Sequence, residues 1–179
     1  NHVSYPDPWL IYRAYEEYLD AERIRHLYAL GSEWNMNPSN NRKFAQATEV
    51  GSQLLNCTFI PTVQTYMIKT PKTMHKWGYT MDAIIKNRRL VLRELGHMRN
   101  DAHPNGITLI IAPEGTRSPD GTLQEGDRSV RGIIRRLSPA LVLPMGIVYA
   151  SRFGRGLNLG KSVEINVGEP IEVSSDTTP

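Results

Sequence analysis

Three observations predict an α/β domain with a mainly parallel central sheet flanked by helices. Short apolar runs rich in β-branched residues alternate with amphipathic stretches at helical spacing, the pattern of strand-helix-strand units. The run from Ile107 to Ala112 is apolar without alternation, as expected of a central strand covered on both faces. The 179 residues, 40% hydrophobic, suffice for one core of ordinary density and not for two. Positions 1–173 are therefore expected to form a single domain, with 174–179 as a disordered tail.

Taken in order, the chain opens at Asn1-His2 with neither methionine nor leader, so a fragment of a longer protein is expected. Asp7 before Pro8 reads as an N-cap, starting a helix to about Leu19. Ile24 to Leu30 predicts a strand ended by Gly31, Ser32 to Asn41 a polar loop, and Asn40 to Val50 a short helix stopped at Gly51. Cys57 to Val63 predicts another strand. After Thr70-Pro71, apolar residues from Met74 through Trp77, Ile84, Val91, Leu95 and Met98 fit one long amphipathic helix to about Arg99. That stripe suits core packing, or a surface along which a lipid chain lies.

His103 to Gly106 predicts the turn into the Ile107 strand, after which Pro113 ends the ladder. Asp127 is placed to cap a helix through Leu137 that carries Arg128, Arg131, Arg135 and Arg136. Those arginines read as a solvated face or as contacts for lipid phosphates. Leu141 to Tyr149 predicts a buried strand interrupted by Pro144, and Ser162 to Val167 alternates as an edge strand does.

A formal charge of +3 and a pI near 9.1 make a mild basic excess, below that of a dedicated nucleic-acid binder and suited to an anionic membrane surface. Cys57 is the single cysteine, so no internal disulfide can form; it is expected to be a small buried apolar residue in a reducing compartment. The longest apolar runs fall short of the roughly 20 residues that cross a bilayer.

The chemistry gathers in two places. His2 and Asp7 would sit about 140° apart on one continuous helix, so they meet only with His2 in a turn and Asp7 at the helix start. Asp7 would then fix the tautomer of His2, whose free nitrogen takes a proton from a substrate hydroxyl. At the other place, Pro113-Glu114-Gly115-Thr116-Arg117-Ser118 follows the Ile107 run, and ligands of α/β sheets bind at carboxyl strand ends. The Arg117 guanidinium, with N–H groups near Gly115 and Thr116, would cradle a phosphate; a simple ion pair with Glu114 is the structural alternative. The other histidines, His26, His75, His97 and His103, are scattered. There is no nucleophile elbow, Walker loop, dinucleotide fingerprint or zinc spacing, so no metal is expected.

Asn1 to Asp7 and Pro113 to Ser118 together resemble the glycerolipid acyltransferase family, matching its N-H-x-x-x-x-D and F-P-E-G-T-R-S blocks in order. Leu141 to Gly146 and Val167-Gly168-Glu169-Pro170 resemble its later blocks. Ala112 stands where the family usually has Phe. Phe59-Ile60-Pro61-Thr62 resembles its F-I-x-R block, with Thr62 where a phosphate-binding Arg is expected; Arg88, Arg89 or Lys69 would supply that charge instead.

The resemblance implies a glycerol-phosphate acyltransferase-like fold and transfer of a fatty acyl group to a lysophospholipid such as 1-acylglycerol-3-phosphate, in phospholipid biosynthesis. The donor would be acyl-CoA or acyl carrier protein, a co-substrate with no further cofactor. His2 would be the general base, Asp7 its orienter, and Glu114, Gly115, Thr116 and Arg117 the holders of the acceptor's phosphate. A peripheral location on the cytoplasmic side of a membrane follows, with no nucleic-acid partner. The rival is a non-catalytic lipid- or phosphate-binding module on the same fold.

Overall fold

The computed structural model describes residues 13–14, 17, 27–54, 57–100, 107–114, 125–149 and 163–174. They form a mixed α/β protein that divides into two compact units, Glu22–Ile111 and a second made of Asn1–Ala21 with Ala112–Pro179.

The Glu22–Ile111 unit is built on a three-stranded parallel sheet of β1 (Leu27–Ser32), β2 (Cys57–Thr62) and β3 (Thr108–Ile110), in the order β2-β1-β3. Leu27 lies opposite Cys57 on one side and Thr108 on the other, and the β1–β2 register runs on to Ser32 opposite Thr62. Parallel neighbours need long crossovers, and both are helical. From β1 to β2 the chain passes through α1 (Glu33–Met36) and α2 (Pro38–Leu54). From β2 to β3 it passes through a 3-10 turn (Thr65–Met67), α3 (Pro71–Lys76) and α4 (Met81–Asn100). Leu27, Cys57, Ile60, Met67, Ile84, Leu95 and Met98 are 1–5% exposed and make the core. The three from α4 recur at helical spacing, which seats one face of that helix over β2.

Several expectations change here. The central strand is β1; β3 is a margin of the described sheet and is half-buried, because β1 supplies ladders to both neighbours. Gly31 does not end its strand. It pairs with Pro61, and a Cβ there would lie 2.6 Å from the Met36 sulfur, a close approach that glycine permits. The expected polar loop from Ser32 to Asn41 is largely helical, because Asn37 and Asn41 act as caps. The Asn37 Oδ1 accepts from Ser39 N at 3.0 Å ahead of Pro38, and the Asn41 Oδ1 accepts from Phe44 N at 3.3 Å where the helix kinks. Gly51 is buried within α2, which continues to Leu54.

The single helix expected from Met74 to Arg99 is two. Thr70 caps α3 through a box with Thr73, in which each hydroxyl accepts from the other residue's N–H. At its end Gly78 takes φ +71°, and Tyr79 N–H donates to the Met74 carbonyl at 2.9 Å, closing the helix in the left-handed manner glycine allows. Thr80 then starts α4 by accepting from Ala83 N at 3.2 Å.

In the second unit, α5 (Arg128–Leu137) is capped as expected: the Asp127 carboxylate accepts from Ser129 N at 2.8 Å. The stretch expected as one buried strand is split by Pro144 into β4 (Ala140–Val142) and β5 (Met145–Tyr149), and Leu141 and Val148 are 65% and 51% exposed. Both strands pair antiparallel, β5 with β6 (Val163–Val167) and β4 with β7 (Ile171–Val173). The sheet is thus parallel in one unit and the strands antiparallel in the other. Each antiparallel pair is exposed on one side, which parallel strands rarely tolerate. Gly168 links the pairs, its N–H donating to the Pro144 carbonyl at 2.8 Å. Arg13, Ala14 and Glu17 are helical, with Arg13 and Glu17 3.7 Å apart in an exposed i,i+4 pair. The His103 turn and the tail beyond Ser174 lie outside the described residues.

Candidate functional site

A parallel sheet of order β2-β1-β3 reverses its direction of growth between β1 and β3, and a crevice at the carboxyl ends beside such a reversal is where α/β sheets take ligands. Ser32 closes the carboxyl end of β1. Its Oγ is buried and has no hydrogen-bond partner among the described residues, although the residue stands at the N-cap position of α1, where a hydroxyl normally accepts from the first turn. A buried hydroxyl without a partner costs stability unless a ligand or water completes it. Nothing in the local sequence singles out Ser32; only the register does.

Across the ladder, Thr62 stands where the resemblance expects an arginine. Its hydroxyl donates to the Gly31 carbonyl at 2.9 Å, so it is spent on the sheet. Asn87 on α4 secures the same strand end: its Nδ2 donates to the Pro61 carbonyl at 2.9 Å and its Oδ1 accepts from Val63 N at 3.0 Å.

Of the three substitute cations, Lys69 is exposed just before the Thr70 cap, and Arg88 and Arg89 are exposed on α4. At about 100° per residue, the α4 face carrying Ile84, Asn87 and Leu95 turns Arg89 to the opposite side and leaves Arg88 flanking Asn87. One helix cannot direct both arginines to the end of β2.

In the other unit the E-G-T-R block begins in a turn at Pro113-Glu114. Glu114 is 8% exposed, a buried carboxylate in a loop that would ordinarily leave it in water. The Pro113 carbonyl accepts from Asp127 N at 2.7 Å, which ties Pro113 to the residue that caps α5. Arg128, Arg131, Arg135 and Arg136 are exposed along that helix while Ile133 is buried. His2, Asp7, Gly115, Thr116 and Arg117 lie outside the described residues, as do His26 and His103; His75 and His97 are exposed.

Two further features bear on chemistry. Cys57 is buried, as expected, and burial pushes its thiol up from near 9 to about 11, which makes it a packing residue and no nucleophile at neutral pH. An open groove of about 510 Å³ runs between α2 and β2, past Met36, Ala45, Cys57 and Phe59; its one charged side chain is the acidic Glu49, so it does not suit a phosphate. Among the described residues no cluster of His, Cys, Asp or Glu has the makings of a metal site, and no helix is long and apolar enough to cross a membrane.

No protein-family model matches the sequence, and no curated protein or solved structure matches it. What the described residues define is a mixed α/β class of protein with a small three-stranded parallel sheet and helices.

Proposed function

We propose that the protein is an acyltransferase that moves a fatty acyl group from acyl-CoA or acyl carrier protein to a hydroxyl of a phosphate-bearing glycerolipid, such as 1-acylglycerol-3-phosphate, at a membrane surface. The observation that carries the proposal is the pairing in one chain of His2 and Asp7 with the Glu114-Gly115-Thr116-Arg117 block. Two features of the fold support it: the second block begins at Pro113-Glu114, shortly past the end of β3 at Ile110, and the Pro113 carbonyl accepts from the N–H of Asp127, the residue that caps α5.

In the proposed reaction His2 takes the proton of the acceptor hydroxyl as its oxygen attacks the thioester carbonyl. The tetrahedral intermediate collapses, the C–S bond breaks, and the departing thiolate takes the proton from the imidazolium. Asp7 orients the ring and stabilises its charge, while Arg117 and neighbouring N–H groups hold the phosphate. No covalent acyl-enzyme is required.

The test is thioester consumption by the full-length protein over a panel of hydroxyl acceptors. His2→Ala should abolish transfer without unfolding the protein, and Asp7→Asn, which keeps a cap, should slow it by roughly a hundredfold or more. Normal transfer by His2→Ala would overturn the mechanism. One observation favours a second reading, a non-catalytic lipid- or phosphate-binding module: Thr62 replaces a charge and is committed to Gly31. That reading predicts binding of the acceptor with no thioester consumption.

A further inference from the structure

From Val50 to Met81 the chain contains no Asp or Glu, yet it carries Lys69, Lys72 and Lys76. All three are exposed, and Lys72 and Lys76 stand four apart on α3, one above the other on a single helix face. Like charges at that spacing repel, and no acidic residue of the segment relieves them. Beside them lies an aromatic group. Trp77 meets Trp34 edge to face at 5.3 Å and Tyr66 at 6.1 Å, and the Lys76 Nζ sits 6.0 Å above the Trp77 ring. Tyr66 is 41% exposed, and Met81, just past the Gly78 turn, is 59% exposed.

Glu33, beside Trp34, belongs to the cluster, and its Oε2 accepts from the Tyr79 hydroxyl at 2.7 Å. Burial, reinforced by that carboxylate, raises the Tyr79 pKa strongly, so the phenol stays a neutral donor and Glu33 stays engaged. The face therefore offers three lysines and half-exposed aromatic and thioether side chains, against the Glu33 carboxylate, which is engaged by Tyr79, and Asp82 next to Met81. α3 is held rigidly to present it, fixed by the Thr70–Thr73 box at one end and the Gly78 closure at the other.

We infer that this face, α3 with Tyr66, Trp77 and Met81, docks on the headgroup region of an anionic phospholipid bilayer. Lysines beside Trp and Tyr suit that boundary, where ammonium groups meet phosphates and amphipathic rings sit between water and acyl chains. A nucleic acid would use the charge but leave Met81 in water. A neutral protein partner would use the apolar residues and leave three lysines unmatched. The inference takes from the proposed function only that the acceptor resides in a lipid surface, and docking is measured without catalysis.

The experiment is co-sedimentation of the full-length protein with phosphatidylcholine vesicles containing or lacking phosphatidylglycerol. Binding should need the anionic lipid and weaken with salt. The Lys69→Gln/Lys72→Gln/Lys76→Gln variant should lose roughly a hundredfold in partitioning, at about fivefold for each lysine near the surface. Tyr66→Ser with Met81→Ser should weaken binding while leaving its salt dependence intact. As these side chains are exposed, circular dichroism should match the parent. Acyl transfer to a detergent-dispersed acceptor should survive Lys72→Gln/Lys76→Gln, which leaves the candidate phosphate ligand Lys69 in place, so a chain that binds vesicles but transfers nothing sinks the function and spares the docking face. Undiminished vesicle binding by the triple variant would overturn the inference. So would loss of binding in Arg135→Gln/Arg136→Gln alone, or lysine-dependent capture of single-stranded RNA with no vesicle binding.

Discussion

The side-chain amide of Asn87 closes on the backbone of Pro61: its Nδ2 donates to the Pro61 carbonyl at 2.9 Å while its Oδ1 accepts from Val63 N at 3.0 Å. One side chain thus does for the end of an edge strand what a neighbouring strand would do, and it ties α4 to the carboxyl end of β2. Asn87→Ala leaves a half-buried carbonyl and N–H without partners, at about 1–3 kcal/mol. Urea unfolding should show a lower midpoint with an unchanged slope. An unchanged midpoint would mean that water replaces both bonds.

Gly78 separates α3 from α4 at φ +71°, and a Cβ built there meets nothing within 4 Å. Space is not the obstacle, so Gly78→Ala isolates the conformational cost of the left-handed region, about 1 kcal/mol. Thermal unfolding should detect that loss. A variant of equal stability would show that the turn re-forms with another residue in its place.

Much of this architecture was legible in local sequence, and the losses share a cause. Asp127 announced a cap and Thr70-Pro71 a break ahead of a helical stretch, because capping and ring geometry act over a few residues, whereas Leu141 to Tyr149, read as one strand interrupted by Pro144, is two. Val163–Val167 alternates, and it is an antiparallel strand. The apolar stripe from Met74 to Met98 was continuous across Gly78, so periodicity alone concealed the break. Which strand is central is a matter of long-range pairing, and no local pattern in Ile107 to Ala112 reveals that β3 has one described neighbour. The site shows the same division. The motif residues were found by spacing, whereas Ser32 and the Thr62 bond to Gly31 follow from a register that joins distant segments.

Cys57 gives a pH dependence of known sign. Its folded pKa of about 11 lies above its ordinary value of 9.0, so between those values the folded protein keeps a proton that the unfolded chain releases. The contribution to stability is complete below about pH 9 and is lost as pH rises through 11, on the order of 2 kcal/mol in all. The difference between parent and Cys57→Ala in urea unfolding should therefore shrink from pH 8 to pH 11. A constant difference would mean that the thiol is equally hard to ionise in the unfolded chain.

The face of α4 that seats Ile84 and Asn87 on the sheet separates its two arginines in direction. If a cation flanking β2 replaces the charge that Thr62 lacks, Arg88→Gln should raise the KM for a phosphate-bearing acceptor about tenfold, the scale of one charge-assisted hydrogen bond. Arg89→Gln should leave that KM unchanged. Steady-state kinetics with varied acceptor decides it, and equal effects from both would remove α4 from phosphate recognition.

Ser32 combines a structural cost with an advantageous place. Its buried Oγ lacks a partner among the described residues at the carboxyl end of the central strand, so deleting it relieves an unsatisfied group and leaves a small, compatible side chain. Ser32→Ala should unfold at the same or a higher urea concentration than the parent. If the hydroxyl is kept for a ligand at the sheet's carboxyl end, the same variant should bind or turn over the acceptor less well, by about tenfold for one hydrogen bond to a charged group. A hydroxyl that serves only the fold predicts the opposite pairing, lower stability with unchanged turnover, and that result would detach Ser32 from the site.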